Sequence, residues 1–379
     1  MQFVNHLASA SSKYFSKIKP KLNQSIIPVL FKKMRYSSII LFCLVGILTG
    51  CMEEKPYFLL KGKTLGYDYQ ITVKTEDSIA VRHAVDSILH QFEAALSIYN
   101  DSSALARFNH TDSIYCPEQP ASELIAAVYA KSREIYQNSN GAFNPAVEPL
   151  LEYYGFDKKA TRQLEKIDSN KVASLLQLVH FDSIQLTKSG DELCLTKTQP
   201  GMSLDFNALS PGLAVDKIGN YLEDKGMRNY IIKIGQSVRA LGLDHKNKGW
   251  IVNINKPEKG IENEVELPLL ISKKSLVTNG NYLKSYEAGG NVYSHIINPF
   301  TGVSEPGNLL SVTVISDQCI DAGGYATAFM VMGLNKSLEL LEQLKDIEAC
   351  FIYDTEGDGI YEYKVSPGFS KYYLHNEQK

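Results

Sequence analysis

"MSLDFNALSPGLAVDKIGNYLEDKGMRNYIIKIGQSVRALG", residues 202–242, decides the fold class. It reads as a short strand, a loop holding Pro211 and Gly212, a helix closed by Gly226, and an apolar strand over 229–234. Further strand-like runs at 249–254, 266–272 and 310–316 follow with no helix between them. Helices near 324–345 come next, and a last strand pair at 348–354 and 360–364. Strands far outnumber βαβ units, which favours an α+β domain over a doubly wound sheet.

Upstream, "FLLKGKTLGYDYQITVKT" (58–75) predicts an opening hairpin around Gly62 and Gly66. Val81, Val85, Ile88, Phe92 and Ala95 recur at helical spacing and predict an amphipathic helix over 78–96. Two more helices are expected at 121–137, stopped near Gly141, and at 168–178. The chain has no internal repeat, low-complexity tract or long linker, so 58–365 is read as one domain and 366–379 as a C-terminal tail.

With 379 residues, 44% hydrophobic and 21% charged, the chain is globular. Its net charge of -3 argues against nucleic-acid binding, which needs a clustered excess of Lys and Arg. The basic exception is the N-terminus. Lys32, Lys33 and Arg35 precede an apolar run from Ile39 to Leu48, too short to span a bilayer, which takes about 20 residues. It fits a secretory signal, and Leu48-Thr49-Gly50-Cys51 resembles a bacterial lipobox. Residues 1–50 are therefore read as extension and signal, and 51–57 as a lipidated Cys51 and a short tether. The resulting expectation is a protein lipid-anchored to a bacterial membrane and facing the periplasm. The outer membrane is favoured, because Met52 rather than Asp follows Cys51.

Of the 6 cysteines, Cys116, Cys194, Cys319 and Cys350 lie in the body, form no CxxC pair, and are expected to be buried thiols. "DTEGDG" (354–359) lacks the acidic residue that would close a calcium loop and is read as a turn. Gly235 ends an apolar strand, where an ordinary bulge accounts for it and close approach of a ligand is the alternative. In "SHIINPFTGVSEPG" (294–307) a tight turn explains Asn298-Pro299 and Thr301-Gly302. His295, just upstream, is either a structural residue at a strand end or a proton acceptor near neutral pH. No GxxxxGK[ST], GxSxG, HExxH or GxGxxG occurs, so nucleotide-loop, serine-hydrolase and zinc-protease chemistries lack support.

Taken in order, "GKTLGYDYQI", "LSIYNDSSALARFN", "GAFNPAVEPLLEYYGF", "LDFNALSPGLAVDKIG", "NYIIKIGQSVRALG", "VTNGNYLKSY", "HIINPFTG" and "GYATAFMVMG" resemble the ApbE-type FAD:protein FMN transferases over about residues 57–365. The resemblance implies a T-fold-like α+β domain with a mixed, mostly antiparallel sheet. It also implies FAD as donor, magnesium as cofactor, and an acceptor protein of a membrane redox system that receives FMN on a Thr or Ser. It places His295 and Asp205 in catalysis, and Tyr99, Phe143, Pro145, Gly235 and Asn281 against the flavin or adenine. For the metal it offers the Ser210 backbone carbonyl and Thr327.

Several departures remove carboxylates. The family's metal-binding Asp position is Gly323, with Asp321 as the candidate substitute. Pro211 replaces a Lys or Gln, and Gly235-Gln236-Ser237 replaces Gly-Gly-Asp/Glu. Asn298 and Asn144 stand for Asp, and Leu65-Gly66-Tyr67-Asp68-Tyr69 replaces "MGTTY". Weakened magnesium binding is expected, since a hard dication prefers anionic oxygens, with transferase activity either retained or reduced. The alternative is a non-catalytic lipoprotein of the same fold that binds flavin or a partner.

Overall fold

The computed structural model describes residues 55–156, 164–258, 264–304 and 307–374. The predicted extension, signal and Cys51 lie outside them. The chain opens with β1 (Tyr57–Thr64) and β2 (Tyr67–Lys74), joined through Leu65 and Gly66, both at positive φ as a tight hairpin turn requires. Helix α1 (Ser78–Leu96) starts where the Asp77 carboxylate accepts from the Ala80 N–H, and it buries Val81, Val85, Leu89 and Phe92 on one face. There follow α2 (Ala104–His110), β3 (Ile114–Tyr115), α3 (Ala121–Asn138), α4 (Glu148–Tyr154), α5 (Ser169–Leu176), β4 (Ile184–Ser189) and β5 (Glu192–Lys197).

The second half begins with α6 (Ser210–Asp224). Strands β6 (Tyr230–Ile234), β7 (Ser237–Leu241), β8 (Trp250–Asn255), β9 (Val265–Ile271), β10 (Lys274–Gly280), β11 (Ser285–Ala288), β12 (Asn291–Ser294) and β13 (Leu309–Ser316) come next. Helices α7 (Cys319–Met332) and α8 (Leu334–Leu341) precede β14 (Glu348–Tyr353) and β15 (Glu362–Val365).

An 8-stranded sheet, ordered β1-β2-β6-β7-β10-β13-β14-β15 and antiparallel at every pairing, carries the molecule. One face packs Ile71, Ile232, Val312 and Phe351 against α1, α3, α6 and α7 in the main core. The β8–β9 hairpin covers the other face, where Trp250, Val252 and Leu269 meet Val238, Leu276 and Ile352. The predicted α+β class and mostly antiparallel sheet are both observed.

Four expectations change. Residues 202–206 form no strand, because their hydrogen bonds go elsewhere. The Asn109 side chain both donates to and accepts from the Leu204 backbone, and the Asp205 N–H donates to the Pro145 carbonyl. Helix α7 starts at Cys319, not near 324, since its glycines are packed contacts and not a break. A Cβ at Gly324 would stand 2.2 Å from Ile135 Cδ1 of α3. The expected tail begins inside the body, with Phe369 fully buried in the second core. Finally, Cys116 and Cys194 are not thiols. The β3–β5 register pairs Tyr115 with Leu195, so the next residues face each other and join in a disulfide, while Cys319 and Cys350 are buried and free.

Candidate active site

One end of the sheet opens into a cavity of about 380 Å³. Its walls come from the start of β2 (Tyr67), the β6–β7 turn (Gly235, Gln236), the end of β10 (Thr278, Asn279) and the loop before α6 (Asp205, Asn207, Ala208). Phe143 and Pro145 add an apolar side, and the β11–β12 hairpin brings Lys284 and His295. Gly235 is the first residue of a two-residue turn at φ 55, and a Cβ there would approach Tyr67 Cδ1 to 2.8 Å. It is a hairpin glycine, and its bare backbone faces the cavity as well.

Lys284 and His295 extend the β11–β12 ladder by one pair. The His295 N–H donates to the Lys284 carbonyl at 3.0 Å, and His295 Nδ1 lies 3.3 Å from the same oxygen. A carbonyl can only accept, so Nδ1 carries the proton and Nε2 keeps its lone pair. Burial, and then the neighbouring Lys284 ammonium, hold the imidazole pKa down at about 4, so the ring is neutral at physiological pH. The Lys284 ammonium lies 5.2 Å from the centre of the Tyr67 ring. Asp205 accepts from the Asn207 N–H at 2.6 Å and from its side-chain amide at 3.3 Å. Burial nevertheless pushes its carboxyl pKa up. Burial and the nearby Tyr99 and Asp205 push the Tyr67 phenol up too.

Other expected site residues fall outside the cavity. Asn281 is buried, and its amide donates to the Leu309 carbonyl, tying the β10–β11 turn to β13. Tyr99 packs on Gly66, behind Tyr67 and off the cavity wall. Ser210 is fully buried as the first residue of α6, with its hydroxyl donating to the Phe206 carbonyl. The backbone carbonyl that meets Gly323 is that of Ala208, 2.4 Å from where a Cβ would stand. Asp321 does not substitute for the missing carboxylate. Two residues of helix turn it roughly 200° from Gly323, and it pairs with Lys131 of α3 at 2.7 Å. Asn144 and Asn298 cap turns, accepting from the Ala146 N–H and the Phe300 N–H; Asn144 also lines the cavity, whereas Asn298 does not.

The oxygens near Gly323 do not suit a magnesium ion. Thr327 Oγ1 donates to the Gly323 carbonyl at 3.1 Å and accepts from the Asn279 amide at 3.2 Å. Asn279 Oδ1 accepts from the Gly280 N–H. Position 323 offers no carboxylate beside Thr327, whereas magnesium is usually held in octahedral geometry by one or two carboxylates together with waters and substrate phosphates. Among the described residues, the cluster of Cys116, Glu192 and Cys194 has a metal-like spacing, but its two sulfurs are bonded to each other.

Tyr67, Lys284 and Asn279 are cavity residues that sequence reasoning missed. The lysine stands inside the quoted "VTNGNYLKSY", where a cation one step before a strand is a usable signal. Asp216 was missed as well. Its carboxylate accepts from the Cys319 and Ile320 N–H groups at 2.9 and 3.0 Å, capping α7. Arg239 holds it from the other side at 3.3 Å.

Fold and cavity thus define an antiparallel α+β protein with a nucleotide-sized pocket, an apolar wall and a neutral imidazole. The ApbE family model matches residues 65–351, and the chain belongs to the ApbE family. It is 30% identical over 355 residues to the FAD:protein FMN transferase of Salmonella typhimurium, covering 90% of this chain and 98% of that one. The Haemophilus influenzae FAD:protein FMN transferase is 28% identical over 316 residues, covering 82% and 91%. The solved flavin transferase ApbE from Vibrio cholerae superposes with a TM-score of 0.72 at 26% identity, over 84% of this chain and 99% of the other.

Proposed function

We propose that this chain transfers the FMN moiety of FAD to a Ser or Thr hydroxyl of an acceptor protein. The observation that carries this is the neutral His295, its Nε2 lone pair free, on the wall of a cavity sized for a nucleotide and lined by Phe143, Pro145 and Gly235. The acceptor hydroxyl oxygen forms a bond to the FMN phosphorus, the phosphoanhydride bond to AMP breaks, and AMP leaves with the electron pair. The hydroxyl proton passes to His295 Nε2. Phe143 and Pro145 offer an apolar face to the ring system, and Gly235 lets it approach the backbone. No step is assigned to magnesium, whose ligands the site does not supply.

The test incubates the full-length protein with FAD and a Thr-bearing acceptor peptide and weighs the peptide. A gain of one FMN residue, lost with Ser or Thr blocked, is the expected result. FAD bound without any adduct would overturn the transferase reading in favour of a flavin-binding protein.

The same reading includes a lipid anchor at Cys51, the periplasmic side of a bacterial membrane as the location, and a membrane redox protein as acceptor. The Cys116–Cys194 disulfide supports an extracytoplasmic location, because such bonds persist in oxidising compartments. Metabolic labelling with a fatty acid should mark the protein, and Cys51→Ala should abolish the label. Label that survives this change would refute the anchor.

A further inference from the structure

Resting on that reading, we propose that Lys284 is the cation that gathers the FAD pyrophosphate, and that flavin-nucleotide binding here does not require a divalent metal. A pyrophosphate brings negative charge that must be met inside a partly dry cavity, where an unpaired charge is costly. Among the cavity-lining residues, the side chains that carry charge are Asp205 and Lys284. Asp205 is of the wrong sign and is occupied by Asn207. Lys284 is therefore the wall's one Lys or Arg side chain; burial lowers its pKa, and the nearby Asp205 carboxylate works against that by favouring the ammonium.

Its placement suits the task. The Lys284 carbonyl receives the His295 N–H, which fixes the lysine one ladder step from the imidazole. A phosphoryl group held by the ammonium would thus lie beside the base. The Tyr67 ring under the ammonium keeps the arm extended over the cavity. The residue as a whole is exposed, while its ammonium is partly desolvated at the cavity wall, where an incoming anion would offset that cost.

The opposite wall complements this. Gly323 brings no carboxylate, and its Cα hydrogens rest against the Ala208 carbonyl, in the space a side chain there would need. Thr327 spends its hydroxyl on Gly323 and Asn279. A dication entering here would have to break those bonds and would gain no carboxylate at 323 in return, a poor exchange for an ion that gives up water reluctantly. One side of the cavity has lost its means of holding a metal, and the other presents an ammonium.

The test reads equilibrium binding, apart from transfer. FAD and riboflavin, which lacks phosphates, are titrated by flavin fluorescence into the full-length protein, with a chelator or with excess magnesium. FAD affinity is expected to be the same in both conditions. Lys284→Met should weaken FAD about tenfold to a hundredfold while leaving riboflavin unchanged, and Lys284→Arg should restore most of the loss. Tightening of FAD by about tenfold or more on adding magnesium would overturn the proposal. So would a Lys284→Met protein that binds FAD like the parent, or one that loses riboflavin to the same degree, which would mark a structural role. FAD bound in this way without adduct formation would count against the transferase reading and leave Lys284's role standing, whereas no binding of either flavin would overturn both.

Discussion

At His295 the environment sets the chemistry. A free imidazole titrates near pH 6.5, whereas here burial and Lys284 lower the pKa to about 4. Depression favours the neutral form, so the base is competent over the whole neutral range and is lost only in acid. Transfer should rise with pH between about 3 and 5 and stay flat from about 6 to 8. An inflection near 6.5 would show that the imidazole is not held as described. His295→Gln should slow transfer about 10²- to 10⁴-fold with FAD still bound. Gly323 invites a different experiment. Restoring Asp there looks from sequence like a repair, but any Cβ would meet the Ala208 carbonyl at 2.4 Å. Overpacking costs about 1–3 kcal/mol, more than the about 1 kcal/mol that replacing a helical glycine returns. Gly323→Ala and Gly323→Asp should therefore both lower the melting temperature, and magnesium should not raise the activity of the Asp variant. A more stable Gly323→Ala would mean that the loop over 207–209 yields.

Elements were legible where one physical signal dominated. Helix α1 follows from its apolar stripe, and the β1–β2 hairpin from β-rich residues around a glycine turn; the Asp77 cap is added by the structure. Helix α7 was less so, because its two glycines mimic a break while serving close packing. The stretch over 202–206 imitates a strand but bonds to the Asn109 side chain, a partner 95 positions away that no local pattern reveals. The site shows the same division. Asp205, Phe143, Pro145, Gly235, His295 and Thr327 came from the family resemblance and do line the cavity. Asn281, Ser210 and Asp321 do not line it: Asn281 bonds to β13, Ser210 is buried at the start of α6, and Asp321 pairs with Lys131. Asp216 belongs to this scale too, since it joins two helices. Gly212 lets α6 approach the α7 start, a Cβ there standing 2.7 Å from the Cys319 carbonyl oxygen, and Asp216 then caps that helix. Asp216→Ala removes two charge-assisted bonds and strips a partner from Arg239, so it should cost about 3 kcal/mol in urea unfolding. A loss under about 1 kcal/mol would show that α7 starts without its cap.

Across the whole molecule, the Cys116–Cys194 bond is the longest-range covalent constraint in the described body, closing a loop across 78 positions. That loop contains α3, α4 and α5, and with them Phe143 and Pro145 of the cavity wall. A cross-link of this span restricts the unfolded chain and is worth about 2–4 kcal/mol in the folded protein. Replacing both cysteines by Ala should therefore lower the melting temperature, while leaving FAD affinity unchanged, because neither sulfur borders the cavity. Reductant should bring the parent down to the variant and leave the variant itself unmoved. Cys319 and Cys350 will not confuse the result. Both are buried, and burial drives their thiol pKa up, to about 12 for Cys350, so neither supplies the thiolate that disulfide exchange requires. A parent that melts at the same temperature with and without reductant, with the bond shown to be reduced, would mean that the three-stranded β3-β5-β4 sheet holds this lobe together by packing alone.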